Sequence, residues 1–180
     1  AVDLDTGERV WHYQTVHHDI WDWDLPAGPV LLDITVDGRD IKALIQPTKQ
    51  TYMFVLDRQT GEPVWPIPEV PVQQGNVPGE WYAPTQPIPT KPPAVDEIDL
   101  REELLVDYTP ERLRRAQAIY ANHTIGWLYD PPNVAREGML GTLQLPNSTG
   151  GVNWPGASAD PETGFFYVYT KTQIGALGLV

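Results

Sequence analysis

Ala1 to Trp11 reads A-V-D-L-D-T-G-E-R-V-W, and Asp57 to Trp65 reads D-R-Q-T-G-E-P-V-W. Laid over one another at an offset of 54 residues, Asp3, Thr6, Gly7 and Trp11 coincide with Asp57, Thr60, Gly61 and Trp65. Asp160-Pro-Glu-Thr163-Gly164 gives the turn a third time, followed by F-F-Y-V-Y but without the closing Trp. Asp and Gly favour turns wherever they occur, but coincidence at four positions with one spacing points to a repeated unit. Strand, D-x-x-T-G turn and Trp-ended strand, at this period, predict radially arranged antiparallel sheets, as in a propeller.

The segments between the turns agree with that reading. Pro29–Val36 is an apolar run, Asp37-Gly38 a hairpin turn, and Ile41–Gln46 and Tyr52–Leu56 two further strands. From Pro63 to Pro93 the character changes: ten of the chain's 19 prolines fall there, which predicts an extended ordered loop, with Trp81 and Tyr82 packing onto a surface. Thr109-Pro110-Glu111 then opens a helix to about Ala121, with Leu113, Ala116, Ile119 and Tyr120 on its docking face. From Gly141 the β pattern resumes. The expected fold is all-β, a single domain over residues 1–180. Blades lie around 1–65 and 139–180, and a Pro-rich and helical insertion at about 66–138. At roughly 40 to 50 residues per blade, the chain supplies about two to three blades. It opens inside a motif and ends on G-A-L-G-L-V, so it is expected to be a piece of something longer.

Composition excludes several functions. With no cysteine there is no disulfide framework, thiolate metal site or Cys nucleophile, and no C-x-x-C-H haem attachment. A net charge of −12 and a pI near 4.5 argue against nucleic-acid binding, which needs clustered Lys and Arg. No run approaches the roughly 18 to 20 apolar residues of a membrane span.

Candidate chemistry concentrates in Trp11–Asp24, W-H-Y-Q-T-V-H-H-D-I-W-D-W-D, where 14 residues hold three Trp, three His and three Asp. Acids among aromatics are costly to bury without a polar partner, so the cluster reads either as a site or as core aromatics beneath a wet loop. Later in the chain, Gly150-Gly151 permits close backbone approach, and Asn153-Trp154 sets an amide beside an aromatic plate. By composition that stretch reads equally as a tight turn with a core Trp.

The A-x-D-x-x-T-G-x-x-x-W unit resembles the tryptophan-docking motif of quinoprotein dehydrogenases, eight-bladed propellers that use pyrroloquinoline quinone (PQQ). The likeness continues through W-H-Y-Q-T-V-H-H-D-I-W-D, through P-T-K-Q with Y-M-F-V-L-D-R-Q-T-G, and through G-G-V-N-W-P-G-A-S-A-D-P-E-T-G-F-F-Y-V. H-H-D-I-W-D-W-D-L-P-A looks more like the membrane glucose dehydrogenase branch than the alcohol branch, whereas G-G-V-N-W departs from that branch's acidic residue before the Trp.

The resemblance implies oxidation of an alcohol or aldose hydroxyl by hydride transfer to PQQ, with Ca²⁺ as Lewis acid. Ubiquinone or a cytochrome would be the electron acceptor, in a periplasmic setting with membrane association through parts outside this chain. By motif position it implies Asp22 as general base, Lys49 at the quinone oxygens, and Asn153 and Trp154 against the PQQ rings. Asp22 also approaches or joins the metal, whose other ligands lie mostly upstream of Ala1. Asp19 and Asp24 stand behind Asp22. Two other readings compete: a non-catalytic scaffold built from PQQ-like repeats, and a transition-metal site from His17, His18, Asp19 and Asp22. Adjacent histidines on a strand point to opposite faces, so the latter requires a loop.

Overall fold

The computed structural model describes residues 1–180. Strands β1 (Val30–Val36), β2 (Arg39–Pro47) and β3 (Met53–Asp57) form an antiparallel meander in that order. Asp37 and Gly38 close the first hairpin, with φ of 51° and 75°. Two successive positive φ values make this the primed turn whose twist matches the strands. Strand β3 is buried on both faces, and its alternation splits the core in two. Met53 and Val55 pack with Leu32, Ala43 and Ile45 on one side. Tyr52 and Phe54 pack with Trp21, Trp23, Leu128 and Tyr129 on the other.

The D-x-x-T-G turns have one hydrogen-bond plan at all three sites. The Gly7, Gly61 and Gly164 amides donate to the carbonyls of Asp3, Asp57 and Asp160, and each Asp amide donates to the carbonyl five residues on. The glycines have φ of 73°, 80° and 73°, so the left-handed step is the reason Gly recurs. Trp11 then reaches across to the second turn. Its Nε1 donates to the Arg58 carbonyl at 3.1 Å, and its ring lies where a Cβ on Gly61 would stand, 2.7 Å away. Trp11 is thus a docking element between the first unit and the second. In the first unit, however, pairing is limited to one bridge between Val2 and Arg9, and Tyr13 to Pro29 runs as an irregular loop.

The proline-rich stretch is an extended loop, but it also contains β structure. Strands β4 (Glu69–Pro71) and β5 (Thr85–Pro87) pair antiparallel within it. Proline survives there because its missing N–H falls in a short two-stranded ribbon with free edges. A 3₁₀ turn at Glu102–Leu104 precedes helix α1, Pro110–Ala121, whose Thr109 hydroxyl accepts from the Arg112 amide. Leu113, Ala116 and Tyr120 are half-buried, while Ile119 is 57% exposed, so the helix contacts its neighbours along a narrower stripe than the pattern predicts.

Strands β6 (Thr124–Ile125), β7 (Asn133–Val134), β8 (Thr142–Gln144) and β11 (Gly175–Leu179) form a mixed sheet ordered β6-β8-β11-β7, with β6–β8 and β7–β11 parallel. The expectation of purely antiparallel sheets is corrected here. Strands β9 (Ala157–Ala159) and β10 (Phe166–Val168) flank the third turn, with Ala159 and Phe166 packed against the β1–β3 core. No helix is long and apolar enough to cross a membrane.

Candidate functional site

Trp21 and Trp23 both turn into the core although the backbone between them is left-handed at Asp22. Trp21 and Trp23 are buried and stacked with ring centroids 5.1 Å apart, and Tyr129 meets both edge-on at 5.6 and 5.4 Å. Asp22 and Asp24 therefore face outward, with side chains 75% and 59% exposed. Asp19 is what shapes the loop. Its two carboxylate oxygens accept from the Trp21 amide at 2.9 Å and the Trp23 amide at 2.6 Å. Asp22 itself has φ of 67°, a left-handed conformation that is uncommon for a residue with a Cβ and clusters at functional sites.

Lys49 comes from the tight connection between β2 and β3, where Thr48 and Thr51 pin the turn: the Thr48 amide and hydroxyl both donate to the Tyr52 carbonyl. The lysine side chain is only 7% exposed. Its Nζ donates to the Asp22 carbonyl at 2.7 Å, stands 3.4 Å from Asp22 Oδ2, and forms a close ion pair with Asp24 Oδ1. A buried ammonium is costly without such partners. Sequence reading joins Asp22 and Lys49, which the fold brings together across 27 residues; it sets Asp24 aside, although the period-two W-D-W-D pattern puts both acids on one side.

Gly150-Gly151 lies directly against Lys49. A Cβ on Gly150 would fall 2.5 Å from Lys49 Cβ and Cγ, and the Gly151 amide donates to the Lys49 carbonyl at 2.9 Å. This contact carries Asn153 and Trp154 toward the same part of the molecule. Asn153 Nδ2 donates to the Thr149 carbonyl at 2.7 Å, its Oδ1 accepts from the Trp154 amide at 2.8 Å, and the Trp154 side chain is left on the surface, 77% exposed. Trp154 is therefore not a core residue.

The histidines do other work. His17 Nε2 lies 2.9 Å from Glu69 Oε1 and His18 Nε2 lies 2.9 Å from Glu80 Oε1, while the His18 and Trp81 rings lie 3.9 Å apart, tilted by 31°. Gln86 bridges the His17 amide and carbonyl, each at 2.8 Å. These contacts clasp the proline-rich loop onto the Asp19–Asp24 loop. Glu80 titrates below its usual range because of the His18 hydrogen bond and then the Trp81 amide. Burial raises Glu69, but hydrogen bonds from His17 and Thr85 outweigh it and the net direction is down. No three His, Cys, Asp or Glu side chains converge anywhere in the chain, so the His17–His18–Asp19–Asp22 metal site does not form. Beneath the loop, burial pushes the Tyr129 hydroxyl above the ordinary tyrosine range, with the neighbouring Tyr52 second. Sequence reading did not single out Leu128-Tyr129, and only an apolar pair within G-W-L-Y-D-P signals it.

All of residues 1–180 match the PQQ family described as glucose/ethanol/alcohol dehydrogenase, β-propeller domain. The chain belongs to this family. It is 40% identical over 167 residues to the quinoprotein glucose dehydrogenase of Escherichia coli K12, covering 89% of this chain and 20% of that protein. Identity to the Gluconobacter oxydans quinoprotein glucose dehydrogenase is 37% over 171 residues, with 90% of this chain and 19% of that protein covered. A probable quinate dehydrogenase (quinone) from Xanthomonas campestris pv. juglandis is 38% identical over 162 residues, covering 89% of this chain and 20% of that protein. The chain thus spans about a fifth of the length of the curated relatives it matches. The solved quinohemoprotein alcohol dehydrogenase from Pseudomonas putida HK5 superposes with a TM-score of 0.54 at 23% identity, over 99% of this chain and 20% of that one. That likeness places the fold: the strands are part of a quinoprotein β-propeller.

Proposed function

We propose that this chain contributes the general base and the quinone-facing cation of a PQQ-dependent dehydrogenase that oxidises an alcohol or aldose hydroxyl. The observation that carries the reading is the Asp22–Lys49 arrangement: an exposed carboxylate in a left-handed backbone, 3.4 Å from a lysine whose stem is buried. A non-catalytic scaffold has no need of it.

The residues fit the cofactor. The Lys49 stem fills the space that glycine leaves at 150, which fixes the direction of its ammonium, and Trp154 keeps an exposed ring on the adjoining loop. PQQ, when bound, supplies an electron-deficient carbonyl carbon that accepts hydride. Lys49 would hold a quinone oxygen by a charge-assisted hydrogen bond, opposing the charge that builds there. Asn153 and Trp154 would line the rings. Asp22, on the outer side of the stacked indoles, would take the hydroxyl proton. Calcium is different: Asp22 offers one hard oxygen donor and no three acidic or imidazole groups gather. The residues present do not form a calcium site by themselves. An eight-bladed ring with blades around 1–65 and 139–180 and an insertion at about 66–138, a periplasm-facing and membrane-associated setting, and a ubiquinone or cytochrome acceptor complete the proposal.

The test is Asp22→Asn in the full-length enzyme, with steady-state dye reduction and PQQ binding measured together. Turnover should fall about 10²–10⁴-fold while PQQ remains bound. Near-normal oxidation would remove Asp22 as base.

A further inference from the structure

Lys49 has three N–H donors and three acceptors within reach, at unequal distances. One donor goes to the Asp24 carboxylate and one, at 2.7 Å, to the backbone carbonyl of Asp22. The Asp22 carboxylate stands back at 3.4 Å. The left-handed φ of 67° at Asp22 presents that residue's carbonyl, and not its side chain, as the nearer acceptor. Asp24 reaches Nζ because it follows two residues later on the same side of the loop, while Trp23 between them is anchored in the core.

We propose that Asp24 is the positioning residue of this site, taking the closest contact with the Lys49 ammonium so that the Asp22 carboxylate makes only a long one. The inference rests on the roles assigned above to Asp22 and Lys49. With Asp24 in place, the cation is neutralised chiefly by Asp24, and its third donor makes only the long contact to Asp22 Oδ2, which a quinone oxygen would displace. Without Asp24, the nearest anion to Nζ is Asp22 Oδ2. The 3.4 Å contact then closes into a tight pair, which occupies the base and turns the cation away from the cofactor. Asp24 touches neither substrate nor cofactor in this scheme and acts only through Lys49.

The experiment is a double-mutant cycle in the full-length enzyme, using Asp24→Asn, Lys49→Met and the pair. Asp24→Glu serves as the conservative rescue, and Lys49→Met keeps the buried stem filled. Stopped-flow absorbance should show Asp24→Asn slowing reduction of bound PQQ about tenfold, with substrate KM within about twofold. Asp24→Glu should recover most of the rate. In the Lys49→Met background, Asp24→Asn should change the rate by less than about twofold, because the group it acts through is gone. The apoprotein gives a second readout: Asp24→Asn should lower the thermal midpoint by about 2 °C, and not when Lys49 is already Met. Equal losses in both backgrounds, or failure of Glu to rescue, overturn the role of Asp24 while leaving the proposed function intact. If Asp22→Asn and Lys49→Met both reduce PQQ at the parent rate, the proposed function falls, and this inference with it.

Discussion

The D-x-x-T-G turns and the W-D-W-D loop both place aspartates beside left-handed backbone, but use them in opposite ways. Asp160 has one oxygen on the Glu162 amide and the other on the Thr163 hydroxyl, and Asp3 accepts from Asp5, from the Thr6 amide and from the Thr6 hydroxyl. These carboxylates bond within their own turns and have no partner outside them. In the W-D-W-D loop that duty is delegated to Asp19, which ties the Trp21 and Trp23 amides. Asp22 and Asp24 are thereby released toward a buried cation. What marks an acid as a candidate for catalysis is therefore a hydrogen-bond inventory with an opening in it, held by a neighbour whose inventory is full.

The comparison breaks most visibly at the acids themselves. Asp22→Asn should cost about 10²–10⁴-fold in turnover, whereas Asp160→Asn should leave turnover within about twofold, since its side chain bonds only its own turn. A comparable loss in both would erase the distinction. Two glycines give the next contrast. Gly7 and Gly150 have nearly equal φ, 73° and 76°, so alanine at either incurs backbone strain of about 1–2 kcal/mol. Only at Gly150 does the new Cβ also strike a neighbour, Lys49 at 2.5 Å, while Gly7 faces open space. Gly150→Ala should therefore add about 1–3 kcal/mol of overpacking and slow cofactor reduction by displacing Lys49. Equal melting shifts for the two variants would show that the Lys49 channel has room to give. Third, Asp19→Asn keeps one acceptor where two are used, and loses about 1 kcal/mol. Denaturant titration of that variant should show the loss, with a smaller effect on turnover than Asp22→Asn; the reverse order would make Asp19 the base.

Most of the fold was legible because its signals are local. Asp37-Gly38, the three D-x-x-T-G turns and Thr109-Pro110 each fix their own backbone within a few residues. Asp22 and Lys49 were legible only through family resemblance, since nothing in the residues between them announces that β2 and β3 return the chain to the loop. Two things stayed hidden. Asp24 looked redundant, and its role depends on Nζ geometry that spacing does not encode. The parallel β6–β8 and β7–β11 pairs each run over only two paired positions, too short for any periodicity to register. The proline-rich loop hid β4 and β5 for a related reason: three residues of ribbon need only one proline-free face.

The smallest expected effect separates the turns from one another. Asp3 and Asp160 both titrate below the ordinary value of 3.8, but for different leading reasons: the Thr6 backbone amide for Asp3, the Thr163 hydroxyl for Asp160. For a carboxylate whose folded value is depressed, the unfolded chain binds the proton first. Its stabilising contribution is therefore present above 3.8 and is lost as pH falls through the lower folded value. Both groups are fully exposed, so the contribution is small and screened by salt. Carboxyl ¹³C titration should place both midpoints below 3.8. Thr163→Val should then move the Asp160 midpoint back toward that value, because its largest stabilising partner is gone. Thr6→Val should move Asp3 less, because its leading donor is a main-chain N–H that the substitution leaves in place. Equal upward movement of both would mean that the hydroxyls, and not the turn backbone, hold the two carboxylates ionised.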